Sequence, residues 1–290
     1  MLAFDAIGTH WEIETDEPIT ATLRRSILDR IERFDAAYSR FRPDSLVAQI
    51  AAAPDGGRFE FPPEAGALFA LYDQLGAATD GAVDPLIGRQ LELLGYDARY
   101  SLIPAPAAVR SAEHERRPTW AADVHREGTT LVTRRPVSID VGAAGKGLLV
   151  DLVAQILIEA GIPRFVVDAG GDLRHYGDRP IRVGLEHPLD PTSVVGIVDL
   201  RDRALCASAV NRRAWGDGLH HVLDARTGAP TDGALATWVL AEEAVLADGV
   251  ATALFFTDRV QLRGTGRFEW VRMFADRIES CPEFRGELFG

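Results

Sequence analysis

The stretch DVGAAGKGLLVDLVAQILIEAGIPRFVVDAGGD, residues 140–172, holds the strongest local pattern in the chain. Leucine, isoleucine and valine recur through 147–160 as a broad apolar stripe, which predicts a helix that Gly161 ends. The apolar run Phe165–Asp168 predicts a buried strand. Glycine and alanine on both sides predict tight loops. The stretch therefore predicts a loop, a helix, a strand and a second loop in immediate succession.

Patterns on either side of this stretch mix helices and strands. Apolar spacing predicts helices over 18–37, 63–78 and 243–256, and another ending near Leu94. Three prolines make 100–118 a surface connection. Strands are predicted over 4–14, 130–132, 137–140, 181–186, 193–200, 219–224, 235–241 and 268–275. Because no linker divides these elements, we predict a single domain over residues 1–290 with an α+β fold.

Composition narrows the protein class. The 290 residues are 47% hydrophobic and 26% charged, which is typical of a globular protein. A net charge of −12 argues against broad nucleic-acid binding, which needs a basic face. Apolar runs such as Leu235–Leu240 are too short to span a bilayer. Met1–Gly8 shows no leader pattern, so we expect a cytoplasmic protein, or a periplasmic one if a leader has been removed.

Lysine use in this chain is extreme. Of 31 basic residues only Lys146 is a lysine, and the rest are arginine. A compact ammonium is not interchangeable with a planar guanidinium where space is tight. The loop leads into this helix at about Ala144–Gly147, so Lys146 lies in the first turn, where free N–H groups suit a phosphate. The alternative is an exposed lysine in a plain strand–helix connection, and the spacing is not that of a Walker A loop.

Three further motifs carry candidate chemistry. Asp248 and Thr252 are four residues apart and share a helix face, where their oxygens suit Mg²⁺ or Ca²⁺; the alternative is a helix-end aspartate and a core threonine. The pair Gly170–Gly171 permits a ligand close to the backbone, or simply a turn. His220 and His221 point to opposite strand faces, so only one serves a given site.

Taken in order along the chain, these motifs resemble the ApbE family of FAD:protein FMN transferases. The pattern also includes Gly8-Thr9, Ser39–Ser45, Gly81–Pro85, Asp151 and the segment from His221 to Gly228. The resemblance implies ApbE-like, T-fold-like mixed sheets flanked by helices, forming one compact unit with an elongated FAD groove. It implies Mg²⁺-dependent transfer of FMN from FAD to a threonine or serine hydroxyl of an acceptor flavoprotein, with release of AMP.

The resemblance also implies roles for particular residues. The main-chain carbonyl of Ala143 and the side chains of Asp248 and Thr252 correspond to metal ligands. Lys146 lies beside the flavin nucleotide, and His221 helps to deprotonate the acceptor hydroxyl, so both are catalytic candidates. The remaining positions correspond to the FAD site: Ile7, Phe41, Ala82, Val83, Asp84, Gly170 and Gly171.

Other functions remain open at this point. Water in place of the acceptor hydroxyl gives an Mg²⁺-dependent FAD pyrophosphatase that yields FMN and AMP. A third hypothesis is a non-catalytic protein that binds FAD, and the ordered motifs argue against a fourth, a plain globular scaffold. The expected partners are FAD and an acceptor flavoprotein, with neither nucleic acid nor a membrane span.

Overall fold

The computed structural model describes residues 1–289, so Gly290, the end of the predicted domain, lies outside the described residues. The strands, in chain order, are β1 (Leu2–Ala6), β2 (Thr9–Thr15), β3 (Gly57–Glu60), β4 (Val124–Glu127), β5 (Thr130–Thr133), β6 (Phe165–Asp168), β7 (Asp172–Tyr176), β8 (Ile181–His187), β9 (Asp190–Leu200), β10 (Ala204–Ala209), β11 (Ala214–Trp215), β12 (Leu219–His220), β13 (Leu223–Asp224), β14 (Ala229–Pro230), β15 (Ala236–Ala241), β16 (Phe268–Met273), β17 (Ile278–Ser280) and β18 (Glu287–Leu288).

The helices are α1 (Ala21–Tyr38), α2 (Leu46–Ala51), α3 (Ala65–Ala78), α4 (Gly88–Leu93), α5 (Ala107–Glu115), α6 (Trp120–Asp123), α7 (Gly145–Glu159), α8 (Ala244–Ala253) and α9 (Arg259–Leu262), with a 3₁₀ turn at Pro85–Ile87. Within residues 1–289, no helix has the length and apolar character needed to cross a membrane.

A sheet of antiparallel pairs organises the molecule, with strand order β1-β2-β6-β7-β10-β15-β16-β17. Helices α1, α3, α7 and α8 bury their apolar faces in one large core with this sheet. A second core lies between β10, β15 and β16 and the small sheet β18-β9-β8. The main sheet therefore separates a helical layer from a smaller β layer, and the predicted α+β class is confirmed.

Helix periodicity located the helical layer well. The predicted helices 18–37, 63–78, 147–160 and 243–256 correspond to α1, α3, α7 and α8. Each of these helices buries the apolar stripe that predicted it; in α1, for example, the buried residues include Ile27, Ile31 and Phe34. Thr20 caps the N-terminus of α1: its hydroxyl accepts a hydrogen bond from the Leu23 N–H at 3.2 Å.

Several predicted boundaries are wrong. The single strand over 4–14 is a hairpin, in which Ile7 and Gly8 turn the chain with φ of 44° and 76°. Both angles are positive, as a tight hairpin turn of the I′ type requires. The turn was not predicted because Ile7 is apolar and is not a typical turn residue. The predicted surface connection 100–118 contains α5, and 137–140 is irregular. The strand predicted at 219–224 is two short strands, β12 and β13.

Candidate functional site

One large groove, of about 680 Å³, opens where the helical layer meets the ends of the main sheet. Its walls come from the β1–β2 turn, the loop after α1, the loop before the 3₁₀ turn, the start of α7, the α8 helix and the segment after β12. The groove brings together nearly all the predicted site residues: Ile7, Phe41, Ala82, Val83, Asp84, Ala143, Lys146, Gly170, His221, Asp248 and Thr252. Gly171 instead lines an adjoining cavity.

The start of α7 and the middle of α8 touch directly at the groove floor. The Gly147 N–H donates to Asp248 Oδ2 at 2.9 Å. A Cβ at position 147 would stand 2.2 Å from the Ala244 carbonyl oxygen, so only glycine permits this approach. The close contact places Lys146 and Asp248 side by side, although they are about a hundred residues apart in sequence.

Lys146 is paired with a carboxylate to which the sequence analysis had given no role. Its Nζ forms an ion pair with Asp172 Oδ2, and the Asp172 side chain is fully buried. Burial alone would lower the pKa of Lys146, but the charges of Asp172 and Asp248 outweigh it and raise that pKa. The lysine therefore stays charged. Asp172 Oδ1 is buried and has no hydrogen-bond partner among the described residues.

The predicted metal ligands form a compact set of hard oxygen donors. The Thr252 hydroxyl donates to the Ala143 carbonyl at 3.3 Å, and Asp248 lies one turn earlier on the same helix. Burial, and then the charge of Asp172, raise the pKa of Asp248 well above its usual range. Two buried carboxylates share one ammonium, so the site has a deficit of positive charge. A divalent cation with oxygen preference fits this donor set.

This set differs from a zinc site. Within the described part of the chain, no three side chains of His, Cys, Asp or Glu form a cluster able to hold a metal ion. A carbonyl, a hydroxyl and one carboxylate are the ligands of Mg²⁺ and Ca²⁺ rather than of soft metals.

Asp151 fixes the helix that carries Asp248 and Thr252. Its two carboxylate oxygens accept from the N–H groups of Ala244 at 2.9 Å and Val245 at 2.8 Å. These are orphan donors of the first turn of α8, so Asp151 caps that helix from α7. Burial raises the pKa of Asp151 to about 6. The sequence pattern contained Asp151, but only the fold reveals this capping contact.

The two neighbouring histidines face different surroundings, although not because they alternate along one strand: His220 ends β12, and His221 follows it outside any strand. His220 Nε2 pairs with the Thr231 carbonyl at 3.0 Å, away from the groove. His221 lines the groove, and its main-chain N–H donates to the Arg213 carbonyl at 3.2 Å. Its buried Nδ1 has no hydrogen-bond partner within residues 1–289. Burial and the nearby Arg213 charge lower the pKa of His221 to about 4, so the ring is neutral at neutral pH.

Arg40 is a groove residue that the sequence analysis did not single out. Its Nε donates to Asp140 Oδ2 at 2.5 Å, while its Nη1 and Nη2 are buried without a partner among the described residues. Its guanidinium lies 4.2 Å from the ring centre of Phe41, and the Tyr100 ring stacks on the same Phe41 ring with the centroids 5.2 Å apart. The motif 39–45 contains two arginines, and nothing in the sequence distinguishes Arg40 from Arg42.

Comparison with known proteins finds relatives that match most of the chain. The sequence model of the ApbE family matches residues 7–264. A relative in Rhodobacter capsulatus named FAD:protein FMN transferase is 31% identical over 98% of this chain and 57% of its own length. One of the same name in Salmonella typhimurium is 25% identical, over 92% of this chain and 81% of its own.

Solved structures agree with the described architecture. The ApbE protein from Thermotoga maritima superposes with a TM-score of 0.85 at 26% identity, covering 98% of this chain and 97% of that one. The flavin transferase ApbE from Vibrio cholerae superposes with a TM-score of 0.84 at 23% identity, over the same shares of the two chains. The second likeness concerns the fold.

Proposed function

The chain belongs to the ApbE family, and from that membership we propose that it transfers FMN from FAD to a hydroxyl group of an acceptor flavoprotein and releases AMP. One observation carries the proposal: the fold gathers Lys146, Asp248, Thr252 and His221 in one groove. These residues come from separate parts of the sequence. Together they offer positive charge, hard oxygen ligands and a neutral base.

The reaction breaks the anhydride bond between the two phosphates of FAD. The acceptor oxygen attacks the phosphorus on the flavin side, a phosphate ester forms there, and AMP leaves with the electron pair of the broken bond. Negative charge accumulates on the phosphate oxygens as this happens, and fixed positive charge in a water-poor site stabilises it. Lys146 supplies such a charge, because Asp172 and Asp248 keep it protonated.

The oxygen donors of α8 and of the loop before α7 would hold Mg²⁺. The Ala143 carbonyl, Asp248 and Thr252 are the residues present for this, and their hard oxygen chemistry fits the ion. When bound, Mg²⁺ supplies a Lewis-acid charge beside the phosphates. It also offsets the two buried carboxylates of this site, in a protein whose net charge of −12 would otherwise repel an anionic dinucleotide.

His221 is the candidate base for the acceptor. Its imidazole is neutral at neutral pH, and its buried Nδ1 lacks a partner among residues 1–289, so it can take a proton. The attacking hydroxyl arrives on the acceptor, which makes a nucleophile in this chain unnecessary. The proton leaves the acceptor oxygen for His221 as the new phosphate ester forms.

An assay with purified components tests the proposal. The protein is incubated with FAD, Mg²⁺ and candidate acceptor proteins, then analysed for AMP and for flavin fluorescence on a denaturing gel. We expect AMP and a fluorescent acceptor band in equal amounts, both dependent on Mg²⁺. AMP without a labelled acceptor would identify a pyrophosphatase instead, and bound FAD without AMP would identify a binding protein.

A further inference from the structure

Transfer to a protein requires two substrates to meet inside one site. A groove of about 680 Å³ is in the range where a pocket encloses most of its ligand, so bound FAD fills much of it. The hydroxyl of serine or threonine lies only two bonds from its own Cα. The acceptor backbone must therefore come close to the phosphates, and it needs an approach that FAD does not occupy.

A second cavity, of about 330 Å³, adjoins the groove and is called the side cavity below. It lies on the sheet face that packs against β8 and β9, where Leu173 and Trp238 line it. The side cavity and the groove share Gly170, the strand end 207–209 and Arg212. The two spaces therefore meet around the ends of β6 and β10.

The shared wall lies directly beside the candidate base. Arg212 borders both spaces, and the carbonyl of the next residue, Arg213, accepts a hydrogen bond from the main-chain N–H of His221 at 3.2 Å; the His221 side chain also lines the groove. The wall is otherwise built of glycine, alanine and serine, which let a polypeptide backbone approach closely. A hydroxyl that enters from the side cavity thus arrives next to His221.

The outer wall of the side cavity offers main-chain hydrogen bonds. Val183, Gly184 and Glu186 of β8 line it. β8 ends its three-stranded sheet, and in the described part of the chain its ladder partner is β9 alone. An edge strand presents free N–H and C=O groups, and extended peptides commonly bind by adding to such an edge.

We propose that the side cavity is the acceptor site, in which an extended segment of the acceptor flavoprotein lies along β8 and directs its hydroxyl past Gly170 and Ser208 into the groove. The inference rests on the proposed function and specifies where its protein substrate binds. FAD and acceptor then occupy separate spaces that meet at the phosphates, so changes in the side cavity away from the shared wall affect acceptor binding and leave FAD binding unaffected.

Two variants that fill the side cavity test this. Val183→Arg places a long charged side chain in its wall, and Asn211→Trp fills it from an exposed position, which protects the fold. Val109→Arg is the matched control, because Val109 is 44% exposed on α5 and lines neither the side cavity nor the groove. The probe is a library of short synthetic peptides with one central threonine, from which the best substrate of the wild-type chain is selected by flavin fluorescence.

We expect both filling variants to lower kcat/KM for that peptide at least about tenfold, while the Kd for FAD stays at the wild-type value. Val109→Arg should match wild type in both. Wild-type kcat/KM in both filling variants would overturn the acceptor site, as would an equal loss of FAD binding in Asn211→Trp. A wild-type chain that binds FAD but labels no peptide and no protein would contradict the proposed function itself.

Discussion

Asp248 in α8 accepts a hydrogen bond from the Gly147 N–H at the start of α7, at 2.9 Å. This contact joins the two helices that carry Lys146 and Asp248 into the groove. It uses one oxygen of Asp248 for structure, and the same side chain is the only carboxylate in the proposed ligand set. The position of Asp248 is therefore determined by the fold, independently of any bound ion.

Asp248→Asn should abolish Mg²⁺-dependent turnover. The amide oxygen can still accept from Gly147, so the fold is kept while the negative charge is lost. Loss of a residue that only orients a metal ligand typically costs about 10–100-fold, so we expect loss of a direct ligand to cost at least about 100-fold. AMP release measured against Mg²⁺ concentration checks this, with the exposed Asp232→Asn as control. Unchanged AMP release would show that Asp248 is not a ligand.

Lys146→Arg tests whether the single lysine is required. Arginine keeps the charge, but its planar guanidinium must fit where a compact ammonium now contacts buried Asp172. We expect FAD affinity to fall at least about tenfold and transfer to fall with it, measured by flavin fluorescence titration and by AMP release. If affinity and activity both survive, the lone lysine is an accident of arginine-rich composition.

His221→Ala should slow transfer far more than it weakens FAD binding. Loss of a general base typically costs about 10²–10⁴-fold in rate, and the neutral ring adds no charge that FAD would need. Because the pKa of His221 is lowered to about 4, the acidic limb of the wild-type rate profile should lie near pH 4 rather than near 6.5. Equal losses of rate and of FAD binding would indicate a structural histidine.

Asp151 should contribute to stability through its cap on α8. Asp151→Ala removes both acceptors for the Ala244 and Val245 N–H groups, at a cost of about 1–2 kcal/mol in the free energy of unfolding. Because burial raises the pKa of folded Asp151 to about 6, the folded state favours the protonated carboxyl. The stability that this protonation contributes is fully present at low pH and is lost as pH rises through 6. Urea unfolding should show wild type losing stability relative to Asp151→Asn over that rise; a constant difference would contradict the assignment.

Local patterns predicted much of the fold, because helix periodicity depends on residues only a few positions apart. For that reason the apolar stripes predicted α1, α3, α7 and α8. The motifs were also recognisable, because each one is a short local stretch of sequence. The Ile7–Gly8 turn was not, since an isoleucine with positive φ gives no turn signal in the sequence. Short strands such as β7 were not predicted either, because they are defined by pairing with strands elsewhere in the chain.

The features of the site that the sequence did not predict are contacts between residues far apart in the chain. The pairing of Lys146 with Asp172 depends on α7 packing over β7, and the position of Arg40 depends on its ion pair with Asp140 and on the neighbouring Phe41 ring. Neither relationship has a local spacing to reveal it. The sequence pattern thus predicted which segments line the groove, and the fold was needed to show how their charges are balanced.

The most direct test of the central claim follows both products of one reaction. The wild-type chain, FAD, Mg²⁺ and an acceptor are combined, and AMP is quantified alongside covalent flavin on the acceptor. The account predicts one AMP for each flavin transferred, with both products absent when Mg²⁺ is chelated or Asp248 is replaced by asparagine. Bound FAD with neither product, under conditions where a known flavin transferase labels the same acceptor, would contradict it.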